Sequence, residues 1–308
     1  MLIDTHCHLD AAEFDADRDA VYAAAMAAGV GQIVVPGVTV NRNFRPKLKI
    51  AGYPGCLEAY GIHPLFVDES SPEDLFRLRG WLEQALPVAV GEIGLDFYVS
   101  GLDTERQTHF FVEQLKLARE FDLPVLLHVR RAIDPVLKQL RRIGVRGGIA
   151  HAFNGSRQQA DEFIKLGFAL GFGGAMTFDG STRIRELART LPLESIVLET
   201  DSPDIPPAWL NGGRNSPAEL PRIVEVRVRI MSAVFDSKTL GPTERLVMLA
   251  LADHADDSGR CYPSNARLCD RTGLSERAVR QNIRSLQGSG FLTVHIGAGQ
   301  GGANVYIV

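Results

Sequence analysis

The sequence predicts an α/β protein, a (β/α)8 TIM barrel followed by a small winged helix-turn-helix domain. Two observations lead to the barrel. Short apolar runs rich in β-forming residues alternate with segments of helical periodicity along the first two hundred residues. Polar side chains recur where those runs end. A third observation leads to the second domain, because from Thr239 the chain changes to helical stretches and a glycine-turned hairpin.

The predicted strands are near-continuous apolar runs, as expected when helices cover a parallel sheet on both faces. They are, in order, LIDTHCH (2–8), QIVVPGV (32–38), CLEAYGIHP (56–64), VAVGEIGLD (88–96), PVLLHVR (124–130), GGIAHAF (147–153), FALGFGG (168–174) and SIVLETDSP (195–203). Helical segments lie between them: ADRDAVYAAAMAAG (16–29), PEDLFRLRGWLEQAL (72–86), ERQTHFFVEQLKLAREFD (105–122), DPVLKQLRRIG (134–144) and SRQQADEFIKLG (156–167). A closed barrel needs about 200–250 residues, and this series has that length.

After Ser202 the alternation stops. Residues 203–217 are rich in proline, glycine and asparagine and predict a loop. The segment AELPRIVEVRVRIM (218–231) mixes helical and strand character and marks no boundary. We therefore predict a barrel over residues 1–223, a junction over 224–238 and a winged helix-turn-helix domain over 239–308.

The second domain reads as an amphipathic helix (241–255), a helix-turn-helix (264–290) and a hairpin (291–308). Ser275 is an N-cap candidate for the recognition helix. One helix face is apolar, with Val279, Ile283 and Leu286 at i, i+4 and i+7. The basic residues of another face are expected to contact DNA: Arg277, Arg280 and Arg284. A merely solvated basic face is the alternative.

Composition limits the classes of partner. The chain is 45% hydrophobic and 23% charged with a net charge of -4, so any DNA contact is local rather than spread over the whole surface. The four cysteines fit no common zinc motif and are expected to be free thiols. With no signal peptide and no long apolar stretch, we predict a cytoplasmic protein without membrane association.

Ligand-type side chains recur at the carboxyl ends of five predicted strands. In an extended strand residues i and i+2 share a face, so the two histidines of THCH project together. Each such residue has an ordinary explanation alone, but their shared position at the end where barrels keep their chemistry favours metal binding. The residues are His6, His8, Glu92, His128, His151 and Asp201. Six ligands fit two divalent ions, such as Mg, Mn or Zn, that share a bridging carboxylate.

The motifs DTHCHLD, GIHP, VGEIGLDF, LLHVRRA, HAFNGS, GFGG and LETDSP, in this order, resemble the TatD family of metal-dependent deoxyribonucleases over about residues 1–223. The resemblance implies hydrolysis of phosphodiesters by a metal-activated water, with Glu92 and Asp201 as catalytic residues. It implies one metal on His6, His8, Glu92 and Asp201, and a second on Glu92, His128 and His151. His63 and Arg130 would contact phosphate, and Asp10 and Glu199 would orient histidine ligands.

Two departures concern the barrel mouth: Val129 stands where the family usually has serine, and Asn154 where it has serine or threonine. Both put substrate preference in doubt. TatD-like chains normally continue through further helices, so we expect a barrel truncated at its C-terminal end. Because Met231 resembles the first residue of a free-standing helix-turn-helix protein, the chain looks like a fusion.

Two other functions stay open. One is a metallohydrolase acting on an amide or ester, including deacylation of mischarged tRNA. Many amidohydrolases bridge their metals with a lysine, whereas this chain offers Glu92, which favours the nuclease. The other is a DNA-binding regulator whose impaired barrel has no enzymatic role.

Overall fold

The structure, a computed structural model, describes residues 1–40, 50, 52–85, 87–232, 240–252, 254, 260–297 and 304–307. The chain divides into two compact units, residues 1–184 with 193–224, and residues 185–192 with 225–308. No helix among the described residues is both long enough and apolar enough to span a membrane.

Eight strands of the first unit form one parallel sheet in sequence order. They are β1 (Leu2–Asp4), β2 (Val30–Pro36), β3 (Cys56–Tyr60), β4 (Ala89–Asp96), β5 (Val125–Arg130), β6 (Gly148–Ala150), β7 (Phe168–Phe172) and β8 (Ile196–Leu198). Backbone hydrogen bonds bring the last strand back to the first: Thr5 N donates to Leu198 O at 3.2 Å, and Asp201 N to His6 O at 2.8 Å. The predicted (β/α)8 barrel is confirmed.

Helices follow these strands along the chain. They are α1 (Arg18–Ala27), α2 (Pro72–Ala85), α3 (Thr104–Glu120), α4 (Ile133–Ile143), α5 (Arg157–Lys165), α6 (Thr182–Thr190) and α7 (Leu220–Ser232). Local sequence explains their starts, since the Asp103 side chain accepts two backbone hydrogen bonds at the start of α3 and Ser156 forms a capping box with Gln159 at α5. In α4 the buried side chains follow helical spacing, which turns one face to the sheet.

Helix α7 lies where the sequence allowed no assignment. Leu220 and Ile223 are fully buried at i, i+3 spacing, and Leu220 belongs to the apolar cluster that includes Phe14 and Val30. The alternation within VEVRVR is typical of a strand, whereas the i, i+3 spacing of the buried residues is typical of a helix. The structure has the helix. A helix thus packs into the barrel's apolar core beyond β8, and it crosses the predicted boundary between the barrel (1–223) and the junction (224–238).

The second unit contains α8 (Pro242–Ala252), α9 (Asn265–Thr272) and α10 (Glu276–Gly288). Its antiparallel sheet has the order β10 (Thr293–His295), β11 (Val305–Ile307), β9 (Arg260–Cys261). Side chains from all three helices and from β11 meet in one core: Val247, Leu251, Leu268, Val279, Leu286 and Tyr306. Gly273 ends α9 with a φ of 65°, a left-handed conformation that glycine adopts readily. The predicted helix-turn-helix and hairpin are present, and the hairpin turn at 298–303 lies outside the described residues.

Candidate metal centre

The structure brings the six predicted ligand residues together at the carboxyl ends of the strands, around the carboxylate of Glu92. Glu92 lies in β4, all eight residues of which are buried, and it is itself 1% exposed. Oε2 of Glu92 lies 3.1 Å from His6 Nε2 and 3.4 Å from His8 Nε2. Cys7, between these histidines, is buried in the apolar core, as the alternation of an extended segment requires.

The other oxygen of Glu92 faces a second set of imidazoles. Oε1 lies 3.1 Å from His128 Nδ1, 3.0 Å from His151 Nε2 and 3.3 Å from His63 Nε2. The Glu92 carboxylate therefore separates five histidines into two groups, one at each oxygen.

Asp201 joins the first group. Its Oδ1 lies 3.5 Å from His6 Nε2 and 3.8 Å from His8 Nε2. It is also 3.9 Å from His151 Nδ1, so this carboxylate borders the second group too. The backbone bond from Asp201 N to His6 O fixes the two residues relative to each other.

His63, predicted as a phosphate contact, lies in the cluster and also orders a loop. Its Nδ1 accepts a hydrogen bond from Leu65 N at 3.2 Å, at the start of the 3-10 helix Pro64–Glu69. A neutral ring that accepts at Nδ1 carries its proton on Nε2. His63 therefore presents an N–H, rather than a lone pair, toward Glu92.

Asp96 is a site residue that the sequence reading missed. It is fully buried, and its Oδ2 lies 2.9 Å from His128 Nε2, which leaves His128 Nδ1 directed at Glu92. Gly94 lies between the two carboxylates, so Glu92 and Asp96 share one face of β4 at i and i+4. That period-two spacing was a signal in the sequence that could have found Asp96.

The two residues expected to orient histidines both lie near them. Glu199 is 1% exposed, and its Oε1 accepts a hydrogen bond from Ala152 N at 2.5 Å and lies 3.8 Å from His151 Nδ1. Asp10 is 2% exposed and close enough to His8 for its charge to raise the pKa of that imidazole. Glu199 is near His151 without a hydrogen bond to its ring.

Arg130, the second predicted phosphate contact, is exposed at the end of β5 and is not part of the cluster around Glu92. Its guanidinium lies over the ring of Tyr98, 3.8 Å from the ring centre. The arginines of α10 are exposed as well, and the pair Arg280–Glu276 approaches to 2.5 Å. The opposite face, with Val279, is buried as predicted.

Burial and charge set opposing protonation states within the cluster. Burial raises the pKa of Glu92, but the neighbouring His63 and His6 outweigh it and hold that pKa well below its usual value. Burial and the charge of His151 lower the pKa of His6 to about 3. Burial likewise lowers the pKa of His63 to about 4. These two rings are neutral near pH 7.

The other histidines of the cluster have raised pKa values. Burial disfavours the charged form of His8, but its hydrogen bond to Glu92 and the surrounding carboxylates raise its pKa to about 9. Burial also opposes charge on His151, and the charges of Glu92 and Asp201 outweigh it to give a pKa of about 10. Burial raises the pKa of Glu199 to about 8 and also raises that of Asp201.

The residues present fit a metal. His6 Nδ1, His151 Nδ1 and Glu199 Oε2 are buried and have no hydrogen-bond partner among the residues that the structure describes. Such groups cost about 1–3 kcal/mol each when unsatisfied. Ligand atoms lie within 4.8 Å of one another in two sets, His6, Glu92 and His151, and His6, His8 and Asp201; His63, Glu92 and His128 are equally close, but the Nδ1 of His63 is already engaged by Leu65 N. Imidazole and carboxylate donors suit divalent ions such as Zn and Mn.

Imidazole and carboxylate side chains that converge at the carboxyl end of a (β/α)8 barrel define the class of metal-dependent hydrolases. The chain belongs to the TatD family, because the family model "TatD related DNase" matches residues 3–237. A second model, "Helix-turn-helix domain", matches residues 238–292. The resemblance seen in the motifs is confirmed, and the chain is a TatD-family metal-dependent hydrolase with a helix-turn-helix domain.

Known relatives align with the barrel. The uncharacterized metal-dependent hydrolase YjjV of Escherichia coli K12 is 42% identical over 228 residues, or 73% of this chain and 88% of YjjV. The crystal structure of YjjV matches with a TM-score of 0.71 and covers 74% of this chain and 90% of YjjV. The 3′-5′ ssDNA/RNA exonuclease TatD of Cronobacter sakazakii is 34% identical over 236 residues, or 73% of this chain and 88% of that protein.

Proposed function

We propose that the barrel hydrolyses phosphodiester bonds of DNA and holds two divalent metal ions, with Glu92 bridging them. The observation that supports this most strongly is the division of histidines between the two oxygens of Glu92. Oε2 with its neighbours forms one ligand set, His6, His8, Glu92 and Asp201. Oε1 with its neighbours forms the other, Glu92, His128 and His151. Mg, Mn and Zn are the candidate ions.

The ions, when bound, would lower the pKa of an attacking water and stabilise charge on the attacking and leaving oxygens. Asp201, with Oδ1 3.5 Å from His6 Nε2 in the first ligand set, is placed to accept a proton from that water. The N–H that His63 presents at Nε2 would donate to a phosphate oxygen. Asp96 keeps His128 Nδ1 turned toward Glu92, so it acts as a positioning residue.

A nucleic-acid substrate is favoured over an amide or an aminoacyl ester. The Cronobacter sakazakii relative named as an ssDNA/RNA exonuclease aligns over most of the barrel. The bridging position holds a glutamate rather than the lysine of many amidohydrolases. The six predicted ligands, assembled around Glu92, also speak against a barrel that only serves as a scaffold for DNA binding.

We propose in addition that α10 contacts DNA. Ser275 caps its start, its apolar face is buried in the core of the second unit, and Arg277, Arg280 and Arg284 lie on the exposed side. A recognition helix uses such residues for phosphates and base edges. The DNA sequence that it prefers stays open.

The direct test is cleavage of labelled single-stranded and double-stranded DNA by the full chain with Mg²⁺, Mn²⁺, Zn²⁺ or excess chelator. We expect cleavage only with added metal and its loss in Glu92→Ala, with a smaller loss in His63→Ala. Glu73→Ala removes an exposed carboxylate of α2 and is the matched control. Full activity in chelator, or in Glu92→Ala, would contradict the proposal. An aminoacyl ester assayed in parallel tests the alternative substrate.

A further inference from the structure

The loop that follows β4 holds an exposed aromatic ring at the barrel mouth. Tyr98 is 49% exposed. Asp96 Oδ1 accepts hydrogen bonds from Tyr98 N at 2.8 Å and from Val99 N at 3.0 Å, and Phe97 N donates to Arg130 O at 2.9 Å. The backbone beneath the ring is therefore fixed to the ends of both β4 and β5.

Two arginines lie against this ring. The guanidinium carbons of Arg130 and Arg131 are 3.8 Å and 4.7 Å from the ring centre of Tyr98. Arg131 has a φ of 54°, a left-handed conformation that a non-glycine residue adopts at some cost. Within the part of the chain that the structure describes, neither guanidinium forms a salt bridge. Two cations and a half-exposed aromatic ring thus lie together at the barrel mouth.

The Asp96 side chain connects the loop that carries Tyr98 to the metal cluster. Asp96 binds the Tyr98 backbone through Oδ1 and His128 through Oδ2, and His128 in turn contacts Glu92. A nucleic-acid strand whose scissile phosphate lies at Glu92 would pass close to Tyr98. A half-exposed ring beside two arginines that form no salt bridge with any described residue suits a nucleotide, which offers both a base face and phosphates.

We propose that Tyr98, Arg130 and Arg131 form a nucleotide subsite for single-stranded nucleic acid, with a base stacked on Tyr98 and neighbouring phosphates on the arginines. The inference rests on the proposed nuclease function and adds the binding group that selects an unpaired strand. Only an unpaired base offers a free face to a protein ring, because duplex bases stack on each other. Stacking is indifferent to base identity, so the subsite accepts any sequence.

The test is a cycle of protein and substrate changes. The wild type, Tyr98→Phe, Tyr98→Ala and Arg131→Ala are each assayed on single-stranded oligonucleotides. One substrate carries a normal base near the 3′ end, and the other carries an abasic residue at the same position. Tyr98→Ala should raise KM about tenfold on the normal strand, with kcat little changed, whereas Tyr98→Phe should stay near wild type. On the matching abasic strand, Tyr98→Ala should add no further loss. Phe76→Ala, which removes an exposed aromatic ring of α2, is the control.

Binding without metal gives the second measurement. An oligonucleotide with 2-aminopurine at single positions is titrated in chelator, in a chain with Arg277→Ala, Arg280→Ala and Arg284→Ala so that α10 contributes little. Quenching at one position, abolished by Tyr98→Ala, supports the subsite. Absence of quenching, or an equal loss on normal and abasic strands, overturns it even if the wild type cleaves DNA. Absence of cleavage with quenching retained would overturn the nuclease proposal instead.

Discussion

Replacing Gly171 by alanine should damage the candidate metal centre through Glu199. An alanine Cβ at this position would lie 2.1 Å from Glu199 Oε2 and 2.5 Å from its Cδ. Carbon atoms in van der Waals contact are about 3.5–4.0 Å apart, so the carboxylate has to move by more than ~1 Å. The Glu199 backbone is held by its bond from N to Phe172 O, which leaves the side chain to move.

The movement breaks the buried hydrogen bond between Ala152 N and Glu199 Oε1. Loss of such a bond leaves a buried donor unsatisfied and costs about 1–3 kcal/mol. For a domain of this size that corresponds to a fall in Tm of roughly 2–12 °C. The carboxylate also leaves the neighbourhood of His151, whose Nδ1 lies 3.8 Å from Glu199 Oε1, and we expect metal binding to weaken by about 10-fold, the low end for an outer partner.

The assay is thermal unfolding followed by metal titration calorimetry on the full chain. Gly80→Ala is the matched control, because an added Cβ there meets nothing within 4 Å and the residue lies inside α2. The free energy of unfolding of that control should rise by about 0.5–1 kcal/mol, because alanine is favoured over glycine inside a helix. Glu199→Asp, which shortens the side chain, should partly restore metal affinity in the Gly171→Ala background. A Gly171→Ala chain with wild-type Tm and metal affinity would refute the reasoning.

Asp96→Asn should weaken metal binding about tenfold by calorimetry, because it removes the charge that orients a ligand histidine; unchanged affinity would exclude that positioning role. Replacing Arg280 and Arg284 together by alanine should reduce the slope of log K for duplex DNA against log salt by about two units, whereas Lys138→Ala, an exposed change in α4, should not. Metal binding at pH 7 should release protons from His8 and His151, whose pKa values are about 9 and about 10, as a buffer-dependent enthalpy in calorimetry. A metal-binding enthalpy that is the same in every buffer would contradict this proton release.

The fold and the metal cluster could largely be predicted from sequence because both depend on regular periods. Strands of a parallel barrel have carboxyl ends at one mouth, so polar residues that end separate runs converge there without knowledge of exact contacts. The i, i+2 rule placed His6 and His8 together, and both contact Glu92 in the structure. These inferences need only element type and direction.

What the sequence could not give depends on register and burial. The role of Asp96 requires that β4 and β5 pair with Gly94 opposite His128, a register that no local pattern fixes. Helix α7 was ambiguous because VEVRVR alternates like a strand, and tertiary burial of Leu220 and Ile223 matches a helix instead. The contact of Arg130 with Tyr98 likewise joins the end of β5 to the loop after β4, two segments that no local sequence pattern relates.

The cluster makes stability of the metal-free chain depend on pH in a known direction. His8 and His151 have pKa values above their ordinary 6.5, so the stability that their charged forms contribute is complete below about pH 6.5 and is lost as pH rises through about 9 and about 10. Glu199 acts in the same direction, because its pKa of about 8 exceeds its ordinary 4.5. Glu92 acts oppositely, with a contribution present above its ordinary pKa and lost in acid. Metal ligation requires neutral imidazoles, so bound metal should stabilise the chain most where these protons have left. The gap in Tm between metal-loaded and metal-free chains should therefore widen from pH 7 to pH 10.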